Sequence, residues 1–153
     1  MSKTTVLFLC TGNSARSQMA EALLRRNGGD TFDVYSAGTE PKGVNPLTVR
    51  VMDEIGVDIS GQRSKGVTEY LGKLAVDYMI VVCGDADEKC PTVWPGATAR
   101  LFWPLSDPAA VGGTEAQRLE AFRAVRDQID VLSREWLAGL TDPKREALTR
   151  HSR

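Results

Sequence analysis

The sequence predicts an α/β fold in which a parallel sheet is flanked by helices on both faces. Three observations predict it: continuous apolar runs of strand length, amphipathic helical stretches that alternate with them, and no repeat or linker that would divide the chain. The 153 residues suit one domain that buries roughly two thirds of its unfolded surface. Residues 1–140 are expected to form that domain. The tail 141–153 is polar and basic and is expected to fray.

Thr5-Val6-Leu7-Phe8-Leu9-Cys10 is apolar throughout, as in a strand buried on both faces, and it breaks at Thr11-Gly12-Asn13-Ser14. From Ser17 the spacing turns helical, with Met19, Ala20, Leu23 and Leu24 on one stripe and Gly28-Gly29 as the stop. Phe32 to Ser36 reads as a second strand. Pro46 opens a helix carrying Val49, Met52 and Ile55, with Gly56 at the C-terminal cap position. Val76 to Cys83 is a third strand and Ala99 to Phe102 a fourth. Residues 115–137 form a long amphipathic helix through Leu119, Phe122, Val125, Ile129, Leu132 and Trp136. In a parallel sheet of this kind the site lies beyond the carboxyl ends of the strands, where Cys10 and Cys83 both fall.

Composition narrows the function. With 42% hydrophobic and 25% charged residues the chain reads as an ordinary globular protein. A formal net charge of −1 gives no reason to expect a nucleic-acid or anionic-membrane surface. No apolar run approaches the roughly 20 residues of a membrane span. The short apolar run ending at Cys10 has no small-residue cleavage site after it, so a signal peptide is not expected and a cytoplasmic location is. In a reducing compartment three cysteines rest as thiols unless they do redox chemistry. Taken singly, each reads as a small buried hydrophobe. The one histidine, His151, sits in the tail, so a nucleophile here needs activation by something other than imidazole. Three cysteines and a remote histidine also lack the paired spacing of a zinc site.

Cys10-Thr11-Gly12-Asn13-Ser14-Ala15-Arg16-Ser17 supplies that activation. It sets a thiol and a guanidinium six residues apart across a strand–loop–helix junction. Gly12 and Asn13 tolerate left-handed backbone angles, and such a turn directs successive N–H groups inward as an anion nest. The helix N-terminus adds its dipole, and Arg16 can clamp two oxygens of a tetrahedral oxyanion. The same field, with the hydroxyls of Ser14 and Ser17, favours a thiolate at Cys10. A Cys-x5-Arg spacing alone recurs by chance, with the Cys buried and the Arg on a solvated face. Its placement after a buried strand, with Gly-Asn in the loop and Ser after the Arg, is what gives it weight.

At these residues the chain resembles the low-molecular-weight protein tyrosine phosphatase family, and more closely that family's thioredoxin-coupled arsenate-reductase branch. The resemblance rests on C-T-G-N-S-A-R-S-Q-M-A-E at 10–21, Y-S-A-G at 35–38 and G-V-N-P at 43–46. It continues through C-G-D-A-D-E-K-C-P at 83–91 and S-D-P-A at 106–109, and covers roughly residues 4–137. It implies a four-stranded parallel sheet and an oxidoreductase of arsenic resistance that turns arsenate into arsenite. Arsenate would sit on Thr11, Gly12, Asn13, Ser14, Ala15, Arg16 and Ser17, with phosphate or sulfate as competing anions. Catalysis would fall to Cys10, Arg16, Cys83, Cys90 and Asp107. Cys10 attacks arsenic and Asp107, otherwise an ordinary Asp-Pro turn starter, is the general acid. A Cys10–Cys83 and then a Cys83–Cys90 disulfide carry the oxidation outward, thioredoxin supplies the electrons, and no bound cofactor is expected. Cys83 and Cys90 are seven residues apart. Were the segment between them helical, they would lie about two turns, roughly 10 Å, apart. A disulfide needs Cα atoms within about 7 Å.

Some members of the branch bind potassium beside the loop through residues matching Asn13, Glu21 and Ser36 plus an Asp. Here Lys65 takes the place of the Asp, so no metal is expected, only the remnant of such a site. Two other functions fit parts of the pattern. A phosphatase acting on phosphotyrosine or small phosphomonoesters needs Cys10, Arg16 and Asp107 but not Cys83 or Cys90. Ala109-Ala110 stand where phosphatases of this fold often carry tyrosines. A non-catalytic oxyanion or redox sensor would bind the anion or switch the thiols without turnover.

Overall fold

A computed structural model describes residues 3–83 and 94–140. The tail 141–153, expected to fray, lies outside them, as does Cys90. Strand β1 (Thr4–Cys10) is followed by α1 (Arg16–Gly28), β2 (Phe32–Gly38), α2 (Pro46–Asp53), β3 (Tyr78–Val81), β4 (Ala99–Phe102) and α3 (Glu115–Leu140). The strands form one parallel sheet in the order β2-β1-β3-β4. Val6 through Cys10 and Tyr78 through Cys83 are buried without interruption. Successive strand residues face opposite sides of a sheet, so unbroken burial means that both faces are covered.

Local chemistry explains the element ends. α2 has Pro46 at its first turn, and Asn45 caps it by accepting from Leu47 N at 2.9 Å. Its last turn closes at Asp53, three residues short of Gly56. There Ile55 and Gly56 take tighter bonds three residues back, Val57 N reaches five residues back to Met52 O, and Gly56 adopts φ 77°. The third strand is shorter than the apolar run 76–83. Val76 and Asp77 give their backbone to Thr98, Ala99 and Thr5 outside the regular ladder, and Cys83 falls two residues past its end. α3 continues three residues beyond the expected 137.

The core runs from the sheet into α1 and α3. Phe8 packs on Trp103 at 5.6 Å between ring centroids, and Trp136 of α3 lies edge-on to Tyr78 at 5.0 Å. α3 is also tied to α2 by Arg126, whose Nη1 donates to Val51 O and to Glu54 Oε1, both at 2.9 Å.

Candidate active site

β1 ends at Cys10 and α1 begins at Arg16, so residues 11–15 must turn the chain between them. Every carbonyl of that turn is held from outside. Thr11 O accepts from Glu40 N (2.9 Å), and Gly12 O from Lys42 N (3.0 Å) and Ser64 Oγ (3.3 Å). Asn13 O accepts from Gln18 Nε2 (3.0 Å), Ser14 O from Asn45 N and Thr48 Oγ1 (3.0 Å each), and Ala15 O from Met19 N (2.9 Å). In a trans peptide the N–H points opposite to its C=O. Carbonyls pinned outward therefore turn the N–H groups of residues 12–16 toward one concave side, the geometry of an anion nest. α1 adds to it: its N-cap is Ala15, with no side-chain cap and no acidic residue in the first turn, so no carboxylate competes there for an incoming anion.

Asn13 alone takes the left-handed conformation, with φ 47°; Gly12, also expected to serve that purpose, does not need it. The glycine that the turn cannot spare is Gly38, at the end of β2. A Cβ there would lie 2.4 Å from Thr11 O and 2.9 Å from Asn13 N, so the loop approaches β2 as closely as backbone can. Sequence alone marked residue 38 only as part of a shared motif. The contact crosses between two strands that are distant along the chain.

Cys10, the expected nucleophile, is a buried free thiol. Cys10 Sγ accepts from Asn13 N at 3.2 Å and lies 2.8 Å from Ser17 Oγ. The direction of the second bond follows from its surroundings. Asn13 Oδ1 accepts from Lys65 N (2.7 Å) and Gln18 Nε2 (3.0 Å), so the amide nitrogen faces Ser17 Oγ (2.7 Å) and Ser36 Oγ (3.0 Å). Ser17 Oγ thus accepts from Asn13, and its own proton is directed at the sulfur. Two hydrogen-bond donors thus converge on the sulfur. Ser14, expected to help as a hydroxyl, enters the described contacts through its carbonyl.

Arg16 is buried at the start of α1. Its Nη1 donates to Leu105 O at 3.1 Å and its Nη2 lies 3.9 Å from Asp107 Oδ2. The structure thus brings Asp107, the acid that the resemblance implies, to the arginine of the loop. Asp107 is also the turn starter that the dipeptide suggests: Oδ1 accepts from Ala109 N at 3.0 Å and caps a short 3-10 turn, Pro108–Ala110. One oxygen shapes the loop and the other faces the arginine.

Behind the loop lies a buried charge centre. Glu21 is met by Arg25 Nη1 at 2.5 Å, by the Ser36 hydroxyl at 2.5 Å and by Lys65 Nζ at 3.5 Å. The Lys65 ammonium also donates to Arg63 O (2.8 Å) and Ser36 Oγ (3.3 Å). Burial pushes Lys65 below the ordinary lysine range, and the Glu21 carboxylate opposes that. Among the described residues no three His, Cys, Asp or Glu side chains gather into a set able to hold a metal ion.

Cys83 is fully buried and disulfide-bonded while Cys10 is not. Leu9 pairs with Val81, and Val82 N donates to Leu9 O, so Cys83 follows directly on the neighbouring strand at the nucleophile's end of the sheet. Three polar contributors were missed by sequence reasoning: Gln18, Gln62 and Thr48. Gln18 and Thr48 lie on helix faces, where nothing in the periodicity separates a buried polar side chain from a solvated one.

A parallel α/β sheet whose first strand ends in a cysteine, an amide-lined turn and an arginine defines an enzyme that handles tetrahedral oxyanions by cysteine attack. The chain belongs to the low molecular weight phosphotyrosine protein phosphatase family, whose model matches residues 5–147. It is 47% identical over 129 residues to an arsenate reductase of Bacillus licheniformis, covering 84% of this chain and 91% of that protein. It superposes with a TM-score of 0.74 on an arsenate reductase solved in the phosphate-binding state, at 33% identity, covering 88% of this chain and 97% of that one. It also superposes on a thioredoxin-dependent arsenate reductase of Corynebacterium glutamicum with a TM-score of 0.66, at 30% identity. That match covers 92% of this chain and 63% of the other.

Proposed function

We propose that this chain reduces arsenate to arsenite by a three-cysteine relay and is recharged by thioredoxin. The observation that carries the reading is the pairing of two cysteines at one sheet edge: Cys10 in the nest, and Cys83 just past the end of the neighbouring strand. On strand spacing their Cα atoms are about 6 Å apart, inside the roughly 7 Å that a disulfide allows. A phosphatase has no use for the second sulfur. The turn after Asp107 is Pro-Ala-Ala and offers no aromatic grip for a phosphotyrosine ring.

Arsenate binds with its oxygens on the N–H groups of the 11–17 loop and on Arg16, where phosphate or sulfate competes. The Cys10 thiolate attacks arsenic, an As–S bond forms, and an oxygen departs as water with a proton from Asp107. The Cys83 thiolate then attacks Cys10 sulfur. The S–As bond breaks, its electron pair stays with arsenic as arsenite, and a Cys10–Cys83 disulfide holds the two electrons' worth of oxidation. Cys90, outside the described residues, attacks Cys83 and releases Cys10 as a thiolate. A dithiol such as thioredoxin reduces the resulting disulfide, so no bound cofactor is needed. Cys83 oxidised with Cys10 free is the thiol inventory at the end of this sequence. The physical reason for a relay is burial: Cys10 is 2% exposed, beyond a protein reductant's reach.

The test is arsenite formation with thioredoxin, its reductase and NADPH. The parent should turn over, while Cys83→Ser and Cys90→Ser should stop after at most one turnover. Normal cycling by either variant rejects the relay, and turnover of phosphomonoesters but not arsenate would move the assignment to phosphatase. Binding of arsenate without turnover would leave a sensor. Among the described residues no helix is long and apolar enough to cross a membrane. An enzyme whose cysteines cycle between thiol and disulfide suits a reducing compartment such as the cytoplasm.

The Lys65 centre completes the reading. Its ammonium engages Ser36 and Glu21, two of the residues that the resemblance assigns to potassium, and also the Arg63 carbonyl, which supports reading it as filling part of the cation's place. The protein carries its own cation, and kcat/KM for arsenate should be the same in potassium and sodium chloride. A clear rise with potassium would refute this.

A further inference from the structure

We infer that Gln18 and Gln62 are positioning residues that set the reactivity of Cys10 through Asn13, an inference that rests on Cys10 being the nucleophile. Gln18 is fully buried in the first turn of α1. Its Nε2 faces three oxygens at 3.0 Å each: Asn13 O, Asn13 Oδ1 and Arg63 O. Only the nitrogen end of an amide can face three acceptors, so its orientation is fixed by chemistry. The oxygen end is satisfied as well, because Gln62 Nε2 donates to Gln18 Oε1 at 2.8 Å and to Gln18 O at 3.1 Å.

The donors then run one way. Gln62 donates to Gln18, Gln18 to Asn13, Asn13 to Ser17, and Ser17 to Cys10 sulfur. Each link leaves the next side chain only its donor end to offer forward. If Gln18 loses its amide, two pressures on Asn13 lapse. The bond to its carbonyl that helps hold the left-handed turn is gone, and one of the two bonds to Oδ1 that keep the Asn13 nitrogen aimed at Ser17 goes with it. The anion nest itself has other anchors, since the carbonyls of Thr11, Gly12, Ser14 and Ala15 are held by groups that do not involve Gln18. The loss should therefore fall on sulfur reactivity and kcat more than on arsenate binding.

The experiment uses Gln18→Met and Gln62→Met, which keep length and neutrality and remove the hydrogen bonds. Iodoacetamide alkylation of Cys10 is measured at pH 7 without any oxyanion, in the Cys83→Ser/Cys90→Ser background where Cys10 is the sole thiol. Steady-state arsenate reduction is measured with all three cysteines present, and thermal unfolding in both. Alkylation should slow about tenfold for Gln18→Met and about threefold for Gln62→Met, the worth of one hydrogen bond or less. kcat should fall in parallel, while KM for arsenate stays within about twofold because the nest keeps its other anchors. Alkylation at the parental rate in folded Gln62→Met, with or without a lower melting temperature, overturns the inference and leaves the pair a purely structural role. Gln62 is only half-buried, so this arm stands even if Gln18→Met does not fold. Alkylation needs no arsenate, so a wrong substrate assignment would leave this result intact.

Discussion

The wall of the cradle that carries Cys10 is buried and cross-bonded at every carbonyl, whereas the facing wall that carries Asp107 lies on a loop with its side chain 40% exposed. On the first wall the sulfur, Asn13, Ser17, Ser36, Gln18 and Glu21 form one hydrogen-bonded body with little freedom to relax. On the second, one carboxylate oxygen caps a short turn and the other reaches Arg16 only at 3.9 Å. The difference matches the two tasks proposed for them. A nest must already be shaped when the anion arrives, because reorganising it during the reaction would cost the stabilisation it offers. An acid that hands one proton to a departing oxygen needs access and a local hinge more than rigidity. Distortion of the first wall's backbone should therefore spread to binding, reactivity and stability together, and damage to the second should stay in one rate constant.

The largest effect is expected from Gly38→Ala. The new methyl group would sit 2.4 Å from Thr11 O, which neither strand nor loop can vacate without opening the nest. Misplacing reacting groups by about 1 Å can cost about 100-fold in rate, and overpacking costs about 1–3 kcal/mol of stability. We expect kcat/KM for arsenate to fall by at least that factor, with phosphate inhibition weakened in step. Retention of parental phosphate affinity would mean that the nest is less rigid than its bonding implies.

Asp107→Asn probes the other wall. Asparagine keeps the oxygen that accepts from Ala109 N, so the turn survives and only the titratable proton is lost. General acid catalysis is worth roughly 100- to 10,000-fold. Here the loop is open to water, which can protonate a departing oxygen itself, so about 50-fold in kcat is expected. KM for arsenate should hold within about twofold, because the loop amides and Arg16 are left in place. A rise in KM as large as the drop in kcat would show that Asp107 shapes the site and does not merely serve as its acid.

The contrast between the walls also explains what the sequence could reveal. The strands β1 and β3 were legible because a sheet buried on both faces needs unbroken apolar runs; Cys10 and Arg16 stood out as a candidate pair by their spacing, and Asp107 as an acid only through the resemblance. Asn45-Pro46 was legible as a helix start from local sequence. The second layer was not. Gln18 and Thr48 look like ordinary polar helix residues until the fold buries one and hands the other a loop carbonyl. Gly38 looks like any strand-end glycine until Thr11 is placed against it. Lys65 and Glu21 were marked only by likeness to relatives, since a charge pair 44 residues apart in the chain leaves no periodic trace. Its ion pair appears once β2 brings Ser36 between them.

Lys65→Met should weaken stability and spare chemistry. It leaves the buried Glu21 carboxylate with Arg25 and Ser36 but without one of its two cations, which we expect to cost about 2 kcal/mol in urea unfolding. The bond that orients Asn13 comes from the backbone N of residue 65 at 2.7 Å and survives the change. Alkylation of Cys10 should stay within about twofold of the parent, less than the loss of a full hydrogen bond. A tenfold loss would extend the rigid wall to include the ammonium.

The smallest effect marks where the rigid wall ends. Glu54, just past α2, receives Arg123 Nε and Nη2 from α3 at 2.9 and 2.7 Å, and Arg126 Nη1 at 2.9 Å. Its hydrogen bonds to Arg123 lead in holding the carboxyl down, from an ordinary 4.5 to about 2, with Arg126 helping and partial burial opposing. A carboxyl whose pKa is depressed by folding stabilises the folded state once it is ionised in both states, above about pH 4.5, and that contribution fades as pH falls toward 2. The parent should therefore melt above Glu54→Gln at pH 7, by a gap that narrows through this window and closes below it. Because Glu54 touches neither the loop nor the charge centre, arsenate reduction at pH 7 should be unchanged in the variant. A fall in kcat would mean that the α2–α3 clamp reaches the nest through Thr48 and the Ser14 carbonyl, and the boundary of the rigid wall would have to be redrawn to include it.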